Sequence, residues 1–240
     1  MLAPVFRTQV LRAPAFILLA LVAAATAEAQ SSRTPPRAAP TPARRAAAPA
    51  APVREAPLMQ CPSILGNGTS SQRLYCDILG GTDPAAGLRI TLPPRKGPLT
   101  LYFTLHNRQT YSESEVKAGR AFARYTATLR IASAAGDVLG HAVVRSEFRT
   151  ERDLVERIAG GAAPGGVKAV APTGSERIVF AVPEGIDEVS LTGERLTVER
   201  LAGTETIAAP GRPVAVVSEV SIEYRPAPPP APVRTRRPRR

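Results

Sequence analysis

The sequence predicts an all-β fold, mainly an antiparallel β-sandwich with a jelly-roll-like arrangement as one option, carrying one short helix and flanked by disordered Pro- and Arg-rich tails. Three observations predict it. Between Leu58 and Arg225 apolar and polar residues alternate with period two far more often than they recur at helical spacing. Chain breakers separate the alternating runs: Pro93-Pro94, Gly136-Asp137, Pro183-Glu184-Gly185, Gly193 and Pro210-Gly211. Outside that stretch the composition shifts to Pro, Ala, Arg, Ser and Thr, which offers too little apolar bulk to offset the cost of ordering a chain.

Taken from the beginning, residues 1–29 read as a secretory signal peptide. Arg7 and Arg12 precede an apolar run from Ala13 to Ala25, and Ala25-Thr26-Ala27 and Ala27-Glu28-Ala29 offer small-residue cleavage sites. The run is shorter than the roughly 20 apolar residues a bilayer core requires. The expected destination is therefore outside the cytosol: periplasm, cell envelope or extracellular space. An uncleaved N-terminal segment anchoring the protein to a membrane is the alternative.

Residues 30–57 are expected to be a disordered linker and 226–240 a disordered basic tail, enclosing a β-sandwich domain at 58–225. Charge follows the same division. Of the formal +11, the linker holds +4 and the tail +5, whereas 58–225 holds only +1. The middle thus lacks the charge bias of a polyanion-binding surface, and no specific nucleic acid is expected as a partner. Arg234, Arg236, Arg237, Arg239 and Arg240 are the candidate contact for an anionic envelope surface or polymer. No aromatic residue interleaves with them to stack on bases.

Cys61 and Cys76, the sole cysteines, flank the turn signal Gly66-Asn67-Gly68. An even count in an exported chain points to a disulfide, worth about 3 kcal/mol for a loop of this length in the chain-entropy model. Asn67-Gly68-Thr69 also fits the N-glycosylation pattern.

Within the domain, Leu99, Leu101, Phe103 and Leu105 point one way and Thr100, Tyr102, Thr104 and His106 the other. Tyr125, Ala127, Leu129 and Ile131 alternate with Thr126, Thr128 and Arg130 in the same manner. Further strands are expected at 72–78, 88–92, 138–148, 177–182, 189–192, 196–201 and 214–224. Thr150 with Asp153, followed by Leu154, Val155 and Ile158 and stopped by Gly160-Gly161, predicts the helix, of two to three turns. The glycine-rich 160–166 lacks the endings of a P-loop or dinucleotide site.

The run Ile178–Val189 is similar to the strand-turn-strand of jelly-roll and carbohydrate-binding sandwiches, which implies a fold and assigns no functional residue. No catalytic, metal or cofactor motif stands out. Tyr102 and His106, on the polar side of one strand, are the candidate ligand-binding residues, with Tyr75 and Tyr111 as further aromatic platforms. The functional expectation is a non-catalytic envelope or extracellular protein that binds a protein or carbohydrate ligand, or supports assembly. The alternative is a hydrolase of an envelope polymer that uses paired carboxylates, with His106 as the general base to test first.

Overall fold

A computed structural model describes residues 51–158 and 169–227. The expected signal peptide at 1–29, the expected linker up to residue 50, residues 159–168 and the arginines at 234–240 lie outside the described residues.

Among the described residues twelve strands form two sheets. In chain order they are β1 Val53–Glu55, β2 Leu58–Gln60, β3 Ser63–Asn67, β4 Leu74–Leu79, β5 Leu88–Thr91 and β6 Leu99–Tyr111. After a helix α1, Glu113–Lys117, come β7 Ala123–Ser133, β8 Val138–Phe148, β9 Ala169–Val182, β10 Glu188–Arg200, β11 Gly203–Ile207 and β12 Pro213–Tyr224. Sheet A has the order β3-β4-β12-β6-β9, with β1 also on β12, and sheet B the order β2-β5-β10-β7-β8, with β11 also on β10. Every strand pairing is antiparallel. The fold is an all-β sandwich.

The alternation explains how the sheets face each other. Leu101, Phe103 and Leu105 of β6 meet Leu129 and Ile131 of β7 and Leu191 of β10 in one fully buried core. Each such side chain contributes about 1.5–3 kcal/mol when taken from water. Glycine at 193 is not the breaker its sequence suggests. It lies inside β10, where the register shifts between Gly193 and Arg195, and a Cβ there would meet the Val214 side chain at 2.6 Å. The missing side chain lets β12 approach the backbone of the opposing sheet.

Four local expectations are corrected. The ordered sheet begins upstream of 58, because β1 pairs Val53 with Tyr224. The turn between the cysteines is at 68–73, closed by Gly68 N–H donating to Arg73 O at 2.9 Å, while Gly66 and Asn67 belong to β3. The helix expected after Thr150 is a single 3-10 turn, Glu151–Asp153. Its cap is as anticipated: Asp153 accepts from Thr150 N–H at 2.8 Å, and Thr150 Oγ1 from Arg152 N–H at 3.4 Å. Beyond it the chain extends, bridging Leu154 to Thr173 and Ile158 to Gly68 across sheet A. Extended chain advances about 3.3 Å per residue against about 1.5 Å in a helix, so only the extended form makes both contacts four residues apart. Among the described residues the one α-helix is instead α1, whose Ser112-x-x-Glu115 pattern is itself a helix-start signal.

Candidate functional site

On β6 the inward parity does not end with the apolar residues. It continues through Asn107 and Gln109, so two amides occupy core positions at one end of the sandwich. Asn107 reaches across the core and donates from Nδ2 to Ser146 Oγ of β8 at 2.8 Å. Gln109, 4% exposed, donates from Nε2 to the Thr110 carbonyl at 2.9 Å. Among the described residues, neither Asn107 Oδ1 nor Gln109 Oε1 accepts a hydrogen bond. A buried orphan acceptor costs about 1–3 kcal/mol, so the two amides weaken the packing at this end of the core.

Here the sheets open into two adjoining cavities that share Thr110, Tyr125 and Arg200. One, of about 260 Å³, is also lined by Gln109, Ser112, Phe122 and Phe148. The other, of about 200 Å³, has Arg108, Val198, Glu205 and Arg212 on its walls. Topology places these groups together: β6 ends, β7 begins, β10 turns into β11 and β12 starts at this end.

The cleft is rimmed by four arginines, Arg108, Arg120, Arg200 and Arg212, against two glutamates, Glu115 and Glu205. Arg120 pairs with Glu115 at 3.0 Å, Arg200 Nη1 with Glu205 at 3.0 Å, and Arg108 Nε with the buried Asp77 at 2.9 Å. Arg212 is exposed and makes no side-chain ion pair or hydrogen bond among the described residues. Burial pushes the Tyr125 phenol above its ordinary range, against the opposing pull of Arg200 and of the Gln109 side chain beside it, so it stays protonated at neutral pH. The arrangement therefore offers cations, hydroxyls and one unfilled acceptor beside the apolar rings of Phe122 and Phe148.

The residues singled out from sequence lie elsewhere. The Tyr102 ring has the Arg54 guanidinium 4.2 Å and that of Arg177 5.6 Å from its centroid, and its hydroxyl donates to Glu223 at 3.4 Å. Its stacking surface is thus taken by the chain's own cations. His106, expected on a polar face, is completely buried. Its Nδ1 lies 2.5 Å from the Gly174 carbonyl and its Nε2 2.9 Å from Ser218 Oγ. A carbonyl only accepts, so Nδ1 carries the proton and Nε2 accepts from the serine. Burial pulls the imidazole below its ordinary pKa, against the Gly174 bond and the nearby Glu219, and keeps it neutral. Ser218 is 2% exposed, so the pair fills buried polar space and meets no substrate. Tyr75 is buried over His106, their rings edge-on at 5.6 Å, and Tyr111 is buried against Phe148, so neither is a platform. His141 stands on the other sheet, 3.1 Å from Glu194.

Cys61 and Cys76 are brought to disulfide distance, with Cα atoms 5.7 Å apart, where the chain crosses from β2 in sheet B to β3 in sheet A. Among the described residues no group of three His, Cys, Asp or Glu side chains converges as a metal site, and no helix is long and apolar enough to cross a membrane. Comparison with protein families, curated proteins and solved structures gives no match. Sequence reasoning missed the cleft, yet one signal was present: Asn107 and Gln109 continue the parity of Leu101, Phe103 and Leu105.

Proposed function

We propose that this chain is an exported binding protein of the cell envelope or extracellular space, whose β-sandwich takes its ligand in the end cleft while the arginine-rich flanks tether it to an anionic surface. The observation that carries the reading is the Gln109 carbonyl, buried without a donor on the wall of a cleft rimmed by cations. A binding site retains such a group because a ligand donor satisfies it, whereas a purely structural core gains nothing from it. Export is supported by the signal-like order of residues 1–29 and by the paired cysteines.

Hydrolysis by paired carboxylates finds less support. The two glutamates on the cleft are each occupied by an arginine. A glycosidase acid needs a raised pKa, while Glu113, Glu147 and Glu156 are all held below the ordinary carboxylate range.

The test is Gln109→Leu. Leucine there removes the orphan oxygen but also the Nε2 bond to Thr110, so the decisive readout is binding: by thermal denaturation the variant is expected to lose the stabilisation that galactotriose or trigalacturonate gives the unmodified protein. Undiminished binding would sink the reading.

A further inference from the structure

We propose that the ligand of this cleft is an acidic saccharide, its anionic group held between Arg200 and Arg212 and a ring hydroxyl given to Gln109 Oε1. The inference rests on the cleft being the binding site and adds the chemical class of what it holds.

The two cavities divide the work. In the smaller, Arg108, Arg200 and Arg212 face Glu205 alone, and Arg108 is already engaged by the buried Asp77. Arg212 then has no anion to answer it, and Arg200 spends one nitrogen, Nη1, on Glu205. A guanidinium presents five donors and grips a carboxylate or phosphate through two of them. This chamber is therefore short of negative charge and long on donors.

In the larger cavity the need is reversed. Its buried amide oxygen lacks a donor, which an anion cannot supply and a hydroxyl can. The surrounding Tyr125, Thr110 and Ser112 exchange hydrogen bonds with hydroxyls in either direction, and Phe122 and Phe148 present apolar surface of the kind the C–H face of a sugar ring covers. Each cavity is smaller than the roughly 300–1,000 Å³ of sites for drug-sized molecules, which suits one sugar unit apiece. A hydroxylated ring joined to a charged group fits both halves at once. The near-neutral domain does not present the broad cationic field that a long polyanion such as nucleic acid would need.

The proposal is tested with the full exported chain at 0.15 M salt, by isothermal titration with four probes: trigalacturonate, galactotriose, glucose 6-phosphate and a glutamate tripeptide. Because the flanks themselves attract anions, the decisive readout is the response to substitutions in the cleft. Trigalacturonate or glucose 6-phosphate is expected to bind at least about tenfold more tightly than galactotriose, with Arg212→Gln and Arg200→Gln each erasing about tenfold, as for loss of a charged hydrogen-bonded pair. Which of the two binds better identifies the anion as carboxylate or phosphate. Galactotriose binding as tightly as the acidic probes, or indifference to both arginine substitutions, would overturn the inference while leaving the cleft reading intact if Gln109→Leu still abolishes binding. The glutamate tripeptide binding as well as trigalacturonate would replace the saccharide by an acidic peptide. Binding that no cleft substitution alters, or no binding by any probe, would overturn both.

Discussion

The outer faces of the two sheets began from the same sequence pattern and met different fates. On sheet B the polar residues of β7 remain at the surface, half-exposed, and pair across strands. Arg124 bridges Glu147 at 2.8 Å and Glu199 at 3.1 Å, and Glu194 accepts from Arg130 and His141. On sheet A the corresponding residues Thr104, His106 and Ser218 are buried, Thr104 against Glu219 and His106 between Gly174 and Ser218, while the segment at 154–158 lies over the neighbouring Tyr75 and Val216. Ile158 packs on Tyr75 and Val216 in a second small core. Glu156 fastens the segment, accepting from the N–H groups of Ser70 and Ser71 at 3.1 Å each and from the hydroxyls of Ser71 and Tyr75 at 2.5 Å. Gly68 lies directly beneath it, and a side chain there would collide with the Glu156 carboxylate. Period two therefore reports two faces, and only the tertiary fold decides which of them is wet.

The comparison can be broken most strongly at Ile158. Ile158→Ala is expected to cost about 2–4 kcal/mol, the range for a large-to-small change at a buried site, and to raise amide exchange in β6 and β12. Unaltered exchange there would mean that the segment is not a cover.

A second difference lies in the histidines. His106 has a lowered pKa, so the unfolded chain takes up its proton first. The stability this confers is present above about pH 6.5 and is lost as pH falls below it, at no more than about 1.4 kcal/mol per pH unit for one group. Denaturant midpoints followed from pH 7.5 to 5 should show this slope in the unmodified protein and in His141→Gln but not in His106→Leu. A slope that follows His141 instead would reverse the assignment.

Glu156 gives a smaller effect at lower pH. Burial alone would raise its pKa, but the hydrogen bonds from Ser71 and Tyr75 and the backbone of Ser71 and Ser70 outweigh burial and bring it to about 2. A depressed carboxylate stabilises above its unfolded pKa, so this contribution fades between about pH 4.5 and about 2. The group is half-buried at the surface, and Glu156→Gln is expected to cost only about 1 kcal/mol at pH 7 once solvent screening is allowed for, with the gap to the unmodified protein closing towards pH 2. Smallest of all is Thr128→Ala on the bare sheet B face, expected within about 0.5 kcal/mol by thermal melting. A loss near that of Ile158→Ala would show that this face too is covered.

How much could be read beforehand follows from the same contrast. β6, β7 and β8 were legible because half-buried strands in a sandwich alternate cleanly. The three-residue β1 and β2 and the short β3 and β11 carry too few positions to show a period. The capping box at Thr150 was read correctly, but a cap fixes where a turn starts and not whether Leu154 and Ile158 find better partners in extended form. At the site, Asn107 and Gln109 were visible as polar residues at inward parity. Their convergence with Arg200 and Arg212 was not, because it depends on β12 inserting between β4 and β6, a pairing that joins residues more than a hundred positions apart.

The pairing of Val53 with Tyr224 has an orientational consequence. Both flanks join the sandwich side by side at one pole, whereas Pro213, at the opposite extremity of β12, stands on the rim of the cleft. Twelve residues of strand span roughly 40 Å. The mouth of the cleft thus lies at the far end of β12 from the strands at which the described chain begins and ends.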